Sequence, residues 1–237
     1  NIVFPDADMS RAVEAAAMAI MMSQGQVCSA GSRLLLHRDI APKFLPALRM
    51  LIEGIKIGDP LDPETRMGPM ASKEQFDAVM AYIETGLEEG AKLLCGGKPW
   101  EPPAGARVGA GHFIEPTVFT DTRPDMRIVQ EEIFGPVLVV QEYADEAEAV
   151  ALANDSVYGL AGAVWTKDIN RALRVAAAIE TGTVWINDYH PVPSGSPFGG
   201  IKESGYGREV HKSALDAYSR LKTVYINSSD EPYGWYR

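Results

Sequence analysis

Gly25-Gln26-Val27-Cys28-Ser29-Ala30-Gly31-Ser32-Arg33 places one of the chain's two cysteines in a run of small residues. A thiol in such a run can be held exposed in a cleft, near backbone N–H groups that stabilise negative charge. Those are the conditions a nucleophilic thiolate needs. The alternative is a small buried hydrophobe, which is how most free cysteines behave. The flanking residues decide how such a thiol would be held. Upstream, Asp6 to Met22 reads as an Asp-capped helix with an alanine- and methionine-rich body, stopped by Ser23, Gln24 and Gly25. Downstream, Leu34-Leu35-Leu36 is a short apolar run bounded by polar residues, which suits a buried strand. Cys28 therefore stands at a helix-to-strand junction. The second cysteine, Cys95, follows Lys92-Leu93-Leu94 in an apolar strand pattern and reads as structural.

The elements that must position Cys28 follow an α/β pattern. Strand-like and helix-like segments alternate with short connections, predicting an open, largely parallel sheet flanked by helices. After Leu34–Leu36 come a helix from Pro42 to Glu53, a turn-rich stretch from Gly58 to Ala71, and a helix from Ser72 to Gly90. Ser72-Lys73-Glu74-Gln75 has the form of a capping box for that helix. Further strands are expected at Lys92–Cys95, His112–Phe119, Gly135–Tyr143, Leu160–Thr166 and Thr183–Asn187, with helices over Asp145–Asn154 and Asn170–Ile179. A Gly/Pro-rich loop spans Gly96 to Gly111, and another loop spans His190 to Gly207. A helix over Val210–Ser219 and an isolated strand over Thr223–Asn227 close the ordered part.

Bulk composition excludes several function classes. An apolar fraction of 46% suffices for a sizeable core, and no apolar run approaches membrane-span length. Net charge is −10 with the acidic residues dispersed, which disfavours a nucleic-acid surface. Two cysteines cannot build a disulfide framework, and no Cys/His spacing suggests a metal, so a reducing, cytoplasmic location is expected. The four histidines, His37, His112, His190 and His211, show no ligand spacing. No GxSxG serine elbow occurs. Gly109-Ala110-Gly111 lacks the third glycine and following helix of a dinucleotide fingerprint.

Four segments occur in one order: GQVCSAGSR at Gly25, EEIFGPV from Glu131 to Val137, GTVWIN from Gly182 to Asn187, and PFGGIKESGYGRE from Pro197 to Glu209. Together they resemble the C-terminal half of the NAD(P)-dependent aldehyde dehydrogenase superfamily, from about Asn1 to the strand near Val224. The resemblance implies that the Cys28 thiolate attacks an aldehyde carbonyl to form a thiohemiacetal. That adduct would lose hydride to the cofactor, leaving a thioacyl group that water releases as acid. The Cys28 N–H becomes a candidate oxyanion donor. By the same resemblance Glu132 accepts the ribose hydroxyls, Phe134 bounds the nicotinamide face and Gln75 is a further ribose contact. The cofactor would be NAD, with NADP possible. Phe198, Asp188 and His190 would line the aldehyde side, whereas Asn187 reads as a structural polar group tying neighbouring loops. Met21 departs from the family pattern, which has an aromatic or smaller aliphatic residue there. That change bears on packing around Cys28.

The resemblance divides the chain into a nucleophile-bearing catalytic domain, 1–208, and a C-terminal helix, oligomerisation-type strand and tail, 209–237. It also implies what this sequence does not contain: no base-bearing LGG motif precedes Asn1-Ile2-Val3-Phe4. The general base, an oxyanion asparagine and most of the cofactor site are expected outside this chain. The isolated chain is then expected to be inactive as a dehydrogenase, and the full-length protein to be a homo-oligomer with a small aldehyde as substrate. Two alternatives are a truncated homologue acting as a weak thiol esterase, and a non-catalytic oligomerisation module. The EEIFGPV segment fits hydrolytic rather than CoA-dependent release.

Overall fold

Ile2-Val3 and Leu34-Leu35-Leu36 are buried to the last side chain, and so is Val137–Val140, a condition met only inside a sheet covered on both faces. A computed structural model describes residues 1–103, 108 and 111–235 of the chain. Its strands in chain order are β1 (Ile2–Val3), β2 (Arg33–His37), β3 (Lys92–Cys95), β4 (Thr117–Thr120), β5 (Val137–Tyr143), β6 (Tyr158–Gly159), β7 (Ala161–Trp165), β8 (Thr183–Ile186) and β9 (Ile201–Lys202). Seven of them form one sheet in the order β3-β4-β5-β2-β1-β7-β8, with β6 and β9 in a separate ribbon. All pairings in the large sheet are parallel except β3 with β4.

Side-chain alternation along β2 sorts the covering helices. Leu34 and Leu36 join the cluster that holds α1 (Met9–Met21) and α2 (Ala41–Glu53). Leu35 points the other way, into a cluster with Ala149 of α5 (Glu146–Asn154) and Val175 of α6 (Ile169–Ala178). A third cluster places Val79 and Ile83 of α3 (Lys73–Glu88) and Ile128 of α4 (Arg127–Gln130) against Phe119 and Val139. Among the described residues no helix is long and apolar enough to cross a membrane, and no group of three metal-ligating side chains occurs.

Most expected elements form close to their expected bounds, and the differences have physical causes. β1 has only two residues, too short for any periodicity, yet it is central and buried because it pairs with β2 and β7 at once. β4 begins at Thr117 rather than His112; Pro116 just before it has no N–H to offer the ladder. Asp8, not Asp6, caps α1, its Oδ1 accepting from the Arg11 N–H at 3.1 Å. Ser72 caps α3 by accepting from the Gln75 N–H at 3.2 Å, but the returning half of the capping box is not made, because the Gln75 amide is engaged elsewhere. The expected loop from His190 to Gly207 contains β9. Part of the Gly96–Gly111 loop, with Gly109 and Ala110, lies outside the described residues.

The C-terminal expectations need correction. Only Ala214–Ala217 is helical (α7) within the span predicted from Val210 to Ser219, and Thr223–Asn227 forms no strand. Leu221, Val224, Tyr225 and Ile226 are all exposed. A strand is stable when its N–H and C=O groups meet a neighbouring ladder, and no described strand pairs with this segment. Val210 and Leu215 are exposed as well, so the short helix has no apolar face packed on the core.

One polar hub fastens the carboxyl edge of the sheet. Asp6 accepts from Thr166 Oγ1 at 2.8 Å, from the N–H groups of Lys167 and Asp168 at 3.0 and 3.1 Å, and from Arg171 Nη1 at 2.8 Å. Burial would raise the Asp6 carboxyl, but the hydrogen bonds from Thr166 and Lys167 and the charge of Arg171 outweigh it and hold it below its ordinary value. Stabilisation from a depressed carboxyl is complete above the unfolded pKa near ~3.9 and is lost as pH falls through the folded value. Asp6→Asn is expected to cost about 1–2 kcal/mol near neutral pH, allowing for partial exposure, and to flatten the acid side of the stability profile. Urea midpoints compared at neutral pH and at about pH 3 check this; a loss of equal size at both would remove the linkage.

Candidate active site

The path into Cys28 is set by backbone conformation. After α1 the chain makes a tight turn in which Ser23, Gln24 and Gly25 all have positive φ, at 52°, 58° and 70°. The Gln26 N–H closes this turn on the Ser23 carbonyl at 3.0 Å. At Gly25 a side chain is excluded outright, since a Cβ there would sit 2.0 Å from the Gly135 carbonyl oxygen. Gln26 Oε1 then accepts from the Ala71 N–H at 3.0 Å. On the far side, Gly31 donates to the Ala19 carbonyl at 2.9 Å, and a Cβ there would sit 2.5 Å from Asn1 Nδ2 and 2.8 Å from Ala19 Cβ. The segment between these two glycines projects with Cys28 exposed at its tip. The Cys28 N–H has no hydrogen-bond partner among the described residues. Met21, the departure noted above, is buried with α1 in the core rather than beside the thiol's solvent face.

Gln130 to Ile133 line the same cavity as Cys28. Cys28, Glu131 and Glu132 line one cavity of about 380 Å³. Glu132 is exposed and makes no hydrogen bond among the described residues, whereas Glu131 is bonded to Arg127 and Tyr82. Phe134 has a φ of 54° and its ring is 39% exposed, an unusual cost for a large aromatic residue. Gln75 Nε2 donates to the carbonyls of Ile133 and Phe134 at 3.1 and 2.9 Å, so α3 holds this segment from beneath.

The cavity lies along the amino ends of the parallel strands. Its walls come from the segments leading into β2, β5, β7 and β8: Cys28–Ser32, Gln130–Ile133, Ser156–Leu160 and Ile179–Thr181. Open α/β sheets more often bind ligands at the carboxyl ends. Here the carboxyl edge is occupied by structural bonds instead. Asn187 Oδ1 accepts from the Thr166 N–H at 3.0 Å while its Nδ2 donates to the Thr166 carbonyl at 2.8 Å, tying β8 to β7 as expected of a structural residue. Three solvent-shielded polar atoms of residues lining the cavity, Asn1 Nδ2, Arg33 Nε and Thr181 Oγ1, have no partner among the described residues.

Asp188, His190 and Phe198 do not line this cavity, and neither do Phe134 and Gln75; of the predicted site residues only Cys28 and Glu132 do. Asp188 accepts from the Tyr189 N–H at 2.8 Å, and His190 packs edge-on against Tyr189 with ring centroids 4.7 Å apart. Burial holds the His190 imidazole below its ordinary value. Phe198 exchanges two backbone hydrogen bonds with Glu209, at 3.1 and 2.8 Å. Tyr189, which the sequence reading passed over, is the residue of this loop that reaches the cavity. Its ring is buried and its hydroxyl donates to the Ser29 carbonyl at 3.0 Å, one residue from Cys28. Its only advance signal was its place among Trp185, His190 and the GTVWIN strand.

An exposed thiol and an exposed carboxylate thus line one cavity at the amino ends of a covered, largely parallel α/β sheet. A sequence model of the aldehyde dehydrogenase family matches residues 1–224, and the chain belongs to that family. It is 50% identical over 236 residues to a betaine aldehyde dehydrogenase of Bacillus subtilis, covering 100% of this chain and 48% of that protein. It is 44% identical to the chloroplastic betaine aldehyde dehydrogenase of Atriplex hortensis, with 46% of that protein covered. The NAD+ complex of betaine aldehyde dehydrogenase from Staphylococcus aureus superposes with a TM-score of 0.95 at 45% identity, covering 100% of this chain and 46% of that one. The NAD+ complex of an aldehyde dehydrogenase from Bacillus cereus gives 0.90 at 44% identity, covering 97% and 45%. The chain thus spans about half the length of the curated relatives it matches.

Two outcomes follow from this geometry. Gly25→Ala is expected to destabilise the protein by roughly 2–4 kcal/mol, combining positive-φ strain with displacement of the Gly135 backbone; a urea midpoint within error of wild type would show that the two segments are not pressed together. Iodoacetamide should modify Cys28 and spare Cys95, which is buried in β3 with its thiol pushed up to about 11 by burial and by the nearby Glu53. Peptide mass mapping of the native protein reads this directly.

Proposed function

We propose that this chain is the nucleophile-bearing C-terminal half of an NAD(P)-dependent aldehyde dehydrogenase that converts an aldehyde to a carboxylic acid. The observation that carries the reading is that the exposed Cys28 thiol and the unpaired Glu132 carboxylate line one cavity. Residues 1–208 supply the catalytic portion and residues 209–237 an arm whose exposed apolar side chains await oligomer contacts. The general base and the rest of the cofactor site come from the other half of the polypeptide. The S. aureus relative is solved with NAD+, which favours NAD here. A cytoplasmic location suits a free, exposed thiol.

The residues present fit the nicotinamide-riboside end of such a cofactor. Glu132 offers both carboxylate oxygens to a ribose diol, and Phe134 presents a half-exposed ring that can bound a flat heterocycle. Glu132 lines the cavity, and Phe134 follows directly on Ile133, which also lines it. When bound, the cofactor supplies the hydride acceptor. The Cys28 sulfur donates its electron pair to the aldehyde carbon, and the carbonyl π electrons move to oxygen, where the unpartnered Cys28 N–H can stabilise them. As the C=O bond re-forms, hydride leaves the carbon and a thioester remains on Cys28. Water then adds to the thioester, giving one proton to the general base of the other half, the C–S bond breaks, and the acid leaves with the thiolate restored.

Asp188, His190 and Phe198 remain the substrate-side residues of this reading, with Tyr189 bracing the nucleophile loop. The matched relatives named betaine aldehyde dehydrogenases place a small aldehyde with a quaternary ammonium group first in any substrate panel. The test is NADH formation by this chain with aliphatic, aromatic and betaine aldehydes, alone and with an N-terminal half from the same family. No turnover alone and Cys28-dependent turnover in the combination are expected. Turnover that survives Cys28→Ala would overturn the nucleophile, and turnover by the chain alone would overturn its role as half of the site.

A further inference from the structure

The Glu131-Glu132 pair presents two adjacent carboxylates at the cavity, of which the reading above uses one. Glu131 is fully engaged. Arg127 Nε and Nη2 donate to its two oxygens at 2.9 Å each, and the Tyr82 hydroxyl donates to Oε2 at 2.8 Å. The Arg127 guanidinium also lies over the Tyr82 ring, 5.5 Å from its centroid. These bonds, from Arg127 first and Tyr82 next, hold the Glu131 carboxyl down to about 2. Tyr82 stands on α3 seven residues after Gln75, so both project from one face of that helix. Val79 lies on the same face, and a Cβ on Gly135 would be 2.5 Å from its Cγ2. One helix face thus meets Glu131 at Tyr82, the Ile133 and Phe134 carbonyls at Gln75, and Gly135 at Val79.

We propose that Tyr82, Arg127 and Gln75 are positioning residues that grip the Glu131–Phe134 segment at both ends and leave Glu132 as its one carboxylate free for the cofactor ribose. Gln75 then acts through the backbone rather than as a ribose ligand, because its amide nitrogen is committed to two carbonyls. An exposed ion pair contributes little to stability. Its effect here is to leave one of two neighbouring cavity-lining carboxylates unpaired, and to hold the residue between the grips against rotation about its backbone. The inference rests on the proposed role of Glu132.

The test uses the full-length polypeptide carrying Tyr82→Phe, Arg127→Gln or Gln75→Ala, with Glu132→Gln for reference, and reads KM for NAD, kcat and thermal midpoint. Each grip variant should raise KM for NAD roughly three- to ten-fold, the size of one lost hydrogen bond, with kcat within about two-fold. Tyr82→Phe combined with Arg127→Gln should be less than the product of the two, because both act through Glu131. Grip variants that leave KM unchanged while Glu132→Gln raises it would overturn the positioning role alone. An unchanged KM in Glu132→Gln would instead remove the ribose role on which the inference stands. A fall in thermal midpoint without any shift in KM would reduce the grip to a structural contact.

Discussion

Two backbones meet at Gly25 and Gly135 with no room for a side chain on either. A Cβ on Gly25 would strike the Gly135 carbonyl, and a Cβ on Gly135 would strike Val79. This contact presses the loop that carries Cys28 against the segment that carries Glu132 and Phe134, with α3 as the backing layer. The positive φ of Ser23, Gln24 and Gly25 is the conformational cost of bringing the chain into that contact. Much of the site's organisation depends on it: the exposed thiol belongs to one of the two segments, and the unpaired carboxylate and the half-exposed Phe134 to the other.

The two edges of the sheet divide the work. At the carboxyl edge Asp6, Thr166, Asn187 and Arg171 saturate one another with hydrogen bonds, fixing the turns that leave β1, β7 and β8. At the amino edge the loops entering β2, β5, β7 and β8 diverge around a cavity where several polar atoms have no protein partner. Tyr189 links the two, lying after β8 yet donating to the Ser29 carbonyl.

The C-terminal arm follows a different rule. Leu221, Val224, Tyr225 and Ile226 carry the residue types of a strand but lie exposed, because β propensity expresses packing against neighbours rather than a backbone preference. Lys222 to Asn227 can become a strand only where another strand supplies the ladder.

What the sequence determined by itself is the local layer. Apolar runs placed β2, β3, β5, β7 and β8, Ser72 and Asp145 marked helix starts through their own side chains, and the small-residue run around Cys28 marked an exposed thiol. These features depend on interactions within a few residues, so pattern and spacing carry them. Tertiary structure alone decided the placement of β1, the preference for Asp8 over Asp6 as a cap, the diversion of Gln75 from its capping box to the Ile133 and Phe134 carbonyls, and the reach of Tyr189 to Ser29. Asp6 binds residues 160 positions away, and Tyr189 likewise. Partners that distant in sequence meet only after the sheet has assembled, and whether a polar side chain caps its own helix or crosses to another segment depends on what the fold brings within 3 Å of it.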